Sequence, residues 1–119
     1  MGEVFEVISE EDLDFLTPIN GSAPAYIFEI ARIFEDIMQK KGFSQAFSQK
    51  LISQTFLGAG VLLNNSKDSA EKLRNNVTSK GGVTEAALKA LRENKLEEIF
   101  SEALDQARKR NEELSEDTP

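Results

Sequence analysis

The segment Val77-Thr78-Ser79-Lys80-Gly81-Gly82-Val83-Thr84-Glu85-Ala86-Ala87-Leu88 decides how the chain is read. A helix-like stretch leads in, two glycines break it, and an amphipathic helix carrying Ala87, Leu88 and Leu91 leads out. Glycine accepts positive φ and lets another molecule approach the backbone closely. Thr84 is placed as the N-cap or a first-turn residue of the outgoing helix. Backbone N–H groups at such a start lie at the positive end of a helix dipole, which suits a small carboxylate. The glycine pair could equally do no more than connect two helices.

Working outward, helical spacing dominates. Ser69 starts a shorter helix through Leu73 and Val77. Before it, Ser44 caps a helix that runs to about Asn64, with Phe43 set as a hydrophobic staple. The middle of that helix, Phe56-Leu57-Gly58-Ala59-Gly60-Val61-Leu62-Leu63, has no charge on any side. A helix apolar all round is buried all round. Gly58 and Gly60 each cost roughly 1 kcal/mol of helix propensity, tolerable where another backbone packs against them. In so short a chain, that points to a partner subunit.

A first long helix begins at Ser22 or Ala23, carries Pro24 in its first turn and stops at Gly42. Ile27, Ile30, Ala31, Phe34, Ile37 and Met38 form its stripe, and Phe28 and Ile33 widen it. Ahead of it, Thr17 to Pro24 reads as a loop rich in turn formers. Ser9 to Leu16 reads as a short helical turn and residues 3–8 as a short strand. The last helix runs from about Leu96 to Leu114, and residues 112–119 form an acidic tail expected to fray. The expected architecture is all-α, with about five main helices behind one leading strand.

With 119 residues, 39% hydrophobic and 29% charged, the chain has the composition of one soluble globular domain. There is no cysteine and no histidine, which removes disulfides, thiol chemistry and the commonest metal ligand and proton-transfer group. No metal site is expected. A net charge of −7 argues against binding nucleic acid. No stretch approaches the ~20 apolar residues that span a membrane. A cytoplasmic location is the expectation. No glycine-rich nucleotide-phosphate motif is present. Read from the residues, this is a helical subunit that dimerises and offers one anion-binding loop.

Two segments carry a resemblance. Asn20-Gly21-Ser22-Ala23-Pro24-Ala25-Tyr26, opening the first long helix, resembles the Ser-Gly-Ser-(Gly or Ala)-Pro-Ala-Tyr segment of pyrroline-5-carboxylate reductases. Val77 to Thr84 resembles that family's Val-Thr-Ser-Pro-Gly-Gly-Thr-Thr signature, and Leu57-Gly58-Ala59 resembles its Leu-Gly-Ala in a buried helix. The likeness runs from about Gly2 to Leu114 and is to the C-terminal domain of the family.

It implies an interlaced, all-α dimerisation and substrate-loop domain over residues 1–119, without the N-terminal Rossmann domain that holds NADPH or NADH. It implies an oxidoreductase of proline biosynthesis that reduces 1-pyrroline-5-carboxylate to L-proline. This chain would be inactive alone and would work as a homodimer or multiple of dimers. By the resemblance, Ser79, Gly81, Gly82, Val83 and Thr84 hold the substrate, and N–H groups of Gly81, Gly82 or Val83 take its carboxylate. Thr84 faces the ring nitrogen as the catalytic residue. Glu10 stands where the family has an acidic residue near the substrate, and Asn76 where some members touch the cofactor. Lys80 departs from the usual proline, Asn20 from a serine and Asn75 from a frequent aspartate. The alternative is a non-catalytic helical dimer that keeps the fold as an interaction or regulatory relic.

Overall fold

In the computed structural model, which describes residues 9–117, the chain is helical almost throughout. The helices are α1 (Glu10–Thr17), α2 (Ala23–Lys40), α3 (Gln45–Asn65), α4 (Ala70–Asn76), α5 (Val83–Glu93) and α6 (Leu96–Asp117). The all-α expectation holds: α2 to α6 are the five main helices and α1 is the short turn before them. The strand expected over residues 3–8 lies outside the described residues.

Serines set the starts of α1, α3 and α4. Ser44 Oγ accepts the Phe47 N–H at 3.1 Å and Ser69 Oγ accepts the Lys72 N–H at 3.1 Å. Ser9 Oγ accepts from Asp12 N–H while the Asp12 carboxylate accepts from Ser9 N–H, a reciprocal box in which Asp replaces the usual Glu. Gly42, at φ 104°, ends the extension of α2. Phe43 stacks on Phe47 with ring centroids 5.7 Å apart. The staple lands there because the next residue inward is the buried Ser48.

Two stretches depart from expectation. Thr17 to Pro24 is not a loop: Pro18–Ser22 is a π-helical turn that carries the chain from α1 into α2. Ala23 N–H and Ser22 Oγ both donate to Pro18 O, the hydroxyl at 2.6 Å, so the wide turn satisfies its own carbonyl. Since the Ser22 proton is used there, the Tyr26 phenol donates to Ser22 Oγ, 2.8 Å away. The last helix, expected to end at about Leu114, runs to Asp117. Arg108 bonds Asp105 and Glu112, and Arg110 bonds Glu113, one turn apart along that helix.

Contacts within one copy cluster into two units. In the first, α6 packs on α1 and on the π-helical turn, and Asn111 donates to the Asp14 carboxylate at 3.3 Å. The second holds α2 from Ile27 onward, α3, α4 and α5. Its helices hardly touch one another; Phe34 and Phe56, with centroids 6.3 Å apart, link α2 to α3. Among the described residues only Pro18, Ser48 and Ile52 are buried. Phe28 is 71% exposed and Leu57 67%, with Val61, Leu62 and Leu63 open beside them. The middle of α3, whose composition demands burial on all sides, finds no cover within one chain. Around Gly58 and Gly60, apart from the adjoining turns of α3 itself, no atom of the described residues lies within 4 Å of where a Cβ would stand.

Lys95 joins α5 to α6 at φ 61°, a left-handed conformation that strains a residue with a Cβ. Lys95→Gly should therefore raise unfolding free energy by about 0.5–1 kcal/mol, the relief of strain exceeding the added freedom of the unfolded chain. Urea denaturation at a fixed protein concentration checks it; an unchanged or lower midpoint would count against strain at this junction.

Candidate functional site

The loop between α4 and α5 is built by a chain of local bonds. Val77 caps α4, its N–H reaching Arg74 O at 3.2 Å. Thr78 N–H donates to Asn75 O at 3.1 Å and its hydroxyl to Arg74 O at 2.6 Å, which anchors the incoming side. Gly82 N–H then donates to Ser79 O at 3.1 Å, closing a four-residue turn. Gly81 sits at the third position of that turn with φ 72°, the conformation for which glycine is preferred there.

Gly82 is needed for another reason. Its backbone is extended, φ −91°, and any residue could adopt it. A Cβ there, however, would stand 2.5 Å from Ser79 Oγ and 3.2 Å from Ser79 O. Of the two glycines, Gly81 uses the positive φ that glycine accepts and Gly82 makes room.

Gly82 is the N-cap of α5 and has no side chain to offer. Thr84 is thus a first-turn residue. The first helical bond of α5 is Ala86 N–H to Gly82 O, 3.2 Å. The N–H groups of Val83, Thr84 and Glu85 have no acceptor among the described residues. They form the positive end of an 11-residue helix. Gly81 N–H is engaged: it donates to Glu85 Oε1 at 3.1 Å. So of the three donors named from sequence, Gly81 and Gly82 are occupied internally and Val83 is open, with Thr84 beside it.

Ser79 is exposed and Thr84 half-buried, and neither hydroxyl has a hydrogen-bond partner among the described residues. Val83 is 89% exposed. Lys80 forms no ion pair among the described residues. The structure brings Ser79 to Thr84 together on one loop. Asn76 closes α4 just before it, exposed and with its amide free among the described residues. Glu10 begins α1, in the other unit. The role of Glu85 was missed from sequence, because its usual signal is a Ser or Thr three residues earlier and here a glycine stands there.

A groove of about 560 Å³ between α1 and α6, lined by Phe15, Phe100, Leu104 and Arg108 among others, includes none of these residues. Its cation is already neutralised: Arg108, with Lys109, holds the Asp105 carboxyl below the usual aspartate range. Among the described residues no cluster could hold a metal ion, and no helix is long and apolar enough to cross a membrane.

A family profile described as pyrroline-5-carboxylate reductase dimerisation matches residues 10–114. The chain belongs to that family. The match covers both units and includes the whole α4–α5 loop. A curated relative, pyrroline-5-carboxylate reductase 1 of Bacillus subtilis, is 38% identical over 117 residues, 98% of this chain and 39% of that protein. The Pseudomonas aeruginosa reductase is 37% identical over 107 residues. Among solved structures, the Coxiella burnetii pyrroline-5-carboxylate reductase superposes with a TM-score of 0.85 at 37% identity, over 91% of this chain and 40% of that one. The Plasmodium falciparum pyrroline carboxylate reductase with NADP bound gives 0.82 at 29% identity, over 91% and 41%. The chain thus spans about two fifths of the length of the reductases it matches. A dimerisation domain implies oligomerisation, which the uncovered faces of α2 and α3 require on physical grounds.

Proposed function

We propose that this chain is the dimerisation and substrate-binding part of a pyrroline-5-carboxylate reductase, which reduces 1-pyrroline-5-carboxylate to L-proline with NADPH or NADH. The observation that carries the reading is the pair of open N–H groups at Val83 and Thr84, at the start of α5 and on the same loop as the hydroxyls of Ser79 and Thr84, which have no partner among the described residues. Two N–H donors at a helix start fit one carboxylate. A hydroxyl one residue away fits the ring nitrogen of a cyclic imino acid. The ring is then held by contacts at two points, which orients its imine carbon.

The nicotinamide supplies the hydride; the residues described here bind and orient the substrate but do not form the dinucleotide site. Two copies would interlace through α2 and α3, which accounts for the missing core. Glu10 and Asn76 take secondary parts, near the substrate and the cofactor respectively.

The test is reconstitution. The isolated chain should show no turnover of 1-pyrroline-5-carboxylate with NADPH. Adding the dinucleotide-binding domain of a relative should restore it, measured as loss of NADPH absorbance. Turnover by the chain alone would contradict the division of labour. No turnover despite a demonstrated complex would favour the non-catalytic relic.

A further inference from the structure

We propose that Glu85 is a positioning residue of the carboxylate-binding loop, holding the Ser79–Gly82 turn against the first turn of α5. The proposal rests on the reading of that loop as the substrate site. Within the turn, Gly82 N–H to Ser79 O is a purely local bond. It fixes the shape of the turn and not its direction. The bond that ties the turn back to the side chains of α5 runs from Gly81 N–H to Glu85 Oε1, 3.1 Å. Both residues it reaches across, Gly81 and Gly82, have no side chain to restrain them. Without Glu85 the turn can pivot there, and Ser79, whose Oγ stands over Gly82, shifts relative to the Val83 and Thr84 N–H groups. Glu85 is half-buried, and as an acid in a first helical turn it is favoured by the dipole.

The same carboxylate could instead act by charge, as an anion repelling an anionic ligand. The two roles predict different patterns. A positioning role needs an acceptor for Gly81 N–H, which glutamine supplies and alanine does not. A repulsive role is relieved by both.

The experiment uses the full chain, 15N-labelled, titrated with tetrahydrofuran-2-carboxylate while the amide signals of Val83 and Thr84 are followed. Amide exchange at Gly81 is measured in parallel. Expected are weaker binding by about fivefold in Glu85→Ala, near the loss of one such hydrogen bond, and affinity within about twofold of the parent in Glu85→Gln. Gly81 exchange should rise in the alanine variant and not in the glutamine one, with the melting temperature of both within about 2 °C of the parent. Tighter binding in both variants would overturn the proposal, as would unchanged binding in Glu85→Ala. A parent protein whose Val83 and Thr84 signals do not move would overturn the substrate-loop reading itself. Gly81 exchange would still show whether Glu85 holds the turn.

Discussion

Leu57→Asp should convert the protein from an oligomer into monomers at micromolar concentration. Leu57 is 67% exposed in one copy and lies in the uncharged middle of α3. Its side chain is not needed to hold its own chain together. In a pair of copies it would sit in an apolar contact, and an unpaired carboxylate placed there costs about 2–5 kcal/mol. That is a loss of roughly 30- to several-thousandfold in dimer affinity. Light scattering behind a sizing column reads the mass, and far-UV circular dichroism shows how much helix the monomer keeps. Because helices of the second unit hardly touch, the monomer should also lose helix and melt at a lower temperature. Its melting point should cease to depend on protein concentration. A Leu57→Asp protein of unchanged mass would show that α3 is not the face where copies meet.

The glycines of α3 sharpen this. In a lone helix, Gly58→Ala and Gly60→Ala each remove a propensity penalty of about 1 kcal/mol. No atom of the chain stands in the way. If the backbone of a second copy passes there, the added methyl groups push it away. The sign of the change therefore tells whether close approach is what keeps glycine at these positions.

Much of this was legible in the sequence because the signals are local. Ser44 and Ser69 sit one residue before their helices and bond the N–H three residues on, so capping chemistry alone locates both starts. Gly42 and Asn94 mark helix ends for equally local reasons. The excess of apolar surface on α2 and α3 was legible too, as a demand for burial that one short chain could not meet. Other features were hidden because they depend on competition between local preferences. Pro18, Asn20, Gly21 and Pro24 all favour a turn, yet the Ser22 hydroxyl and Ala23 N–H converge on one carbonyl and keep the chain helical. The last helix runs three residues past its expected end at Leu114, and Arg108 and Arg110 face carboxylates at one-turn spacing along it. At the candidate site the sequence pointed to the α4–α5 loop and to Val83, but not to which N–H groups were already in use. That depends on where Glu85 reaches.

Gly82→Ala should abolish most of the loop's binding function while leaving the helices intact, whereas Gly81→Ala should be milder. At Gly82 the added Cβ meets Ser79 Oγ at 2.5 Å and Ser79 O at 3.2 Å. The hydroxyl can rotate away; the carbonyl cannot move without losing its bond to Gly82 N–H. The turn must open, and both the Ser79 hydroxyl and the Val83 and Thr84 donors shift relative to each other. A displacement of about 1 Å in groups that orient a reacting ring can lower turnover on the order of a hundredfold. At Gly81 nothing crowds a Cβ, and the penalty is the left-handed φ of 72° alone, about 1–2 kcal/mol. That cost falls on the folded loop and should lower kcat/KM in the reconstituted enzyme by about thirtyfold at most. Circular dichroism should not distinguish either variant from the parent, since the loop contributes no packed surface. If the two substitutions prove equally mild, the contact with Ser79 does not control the loop, and the carboxylate is bound without it.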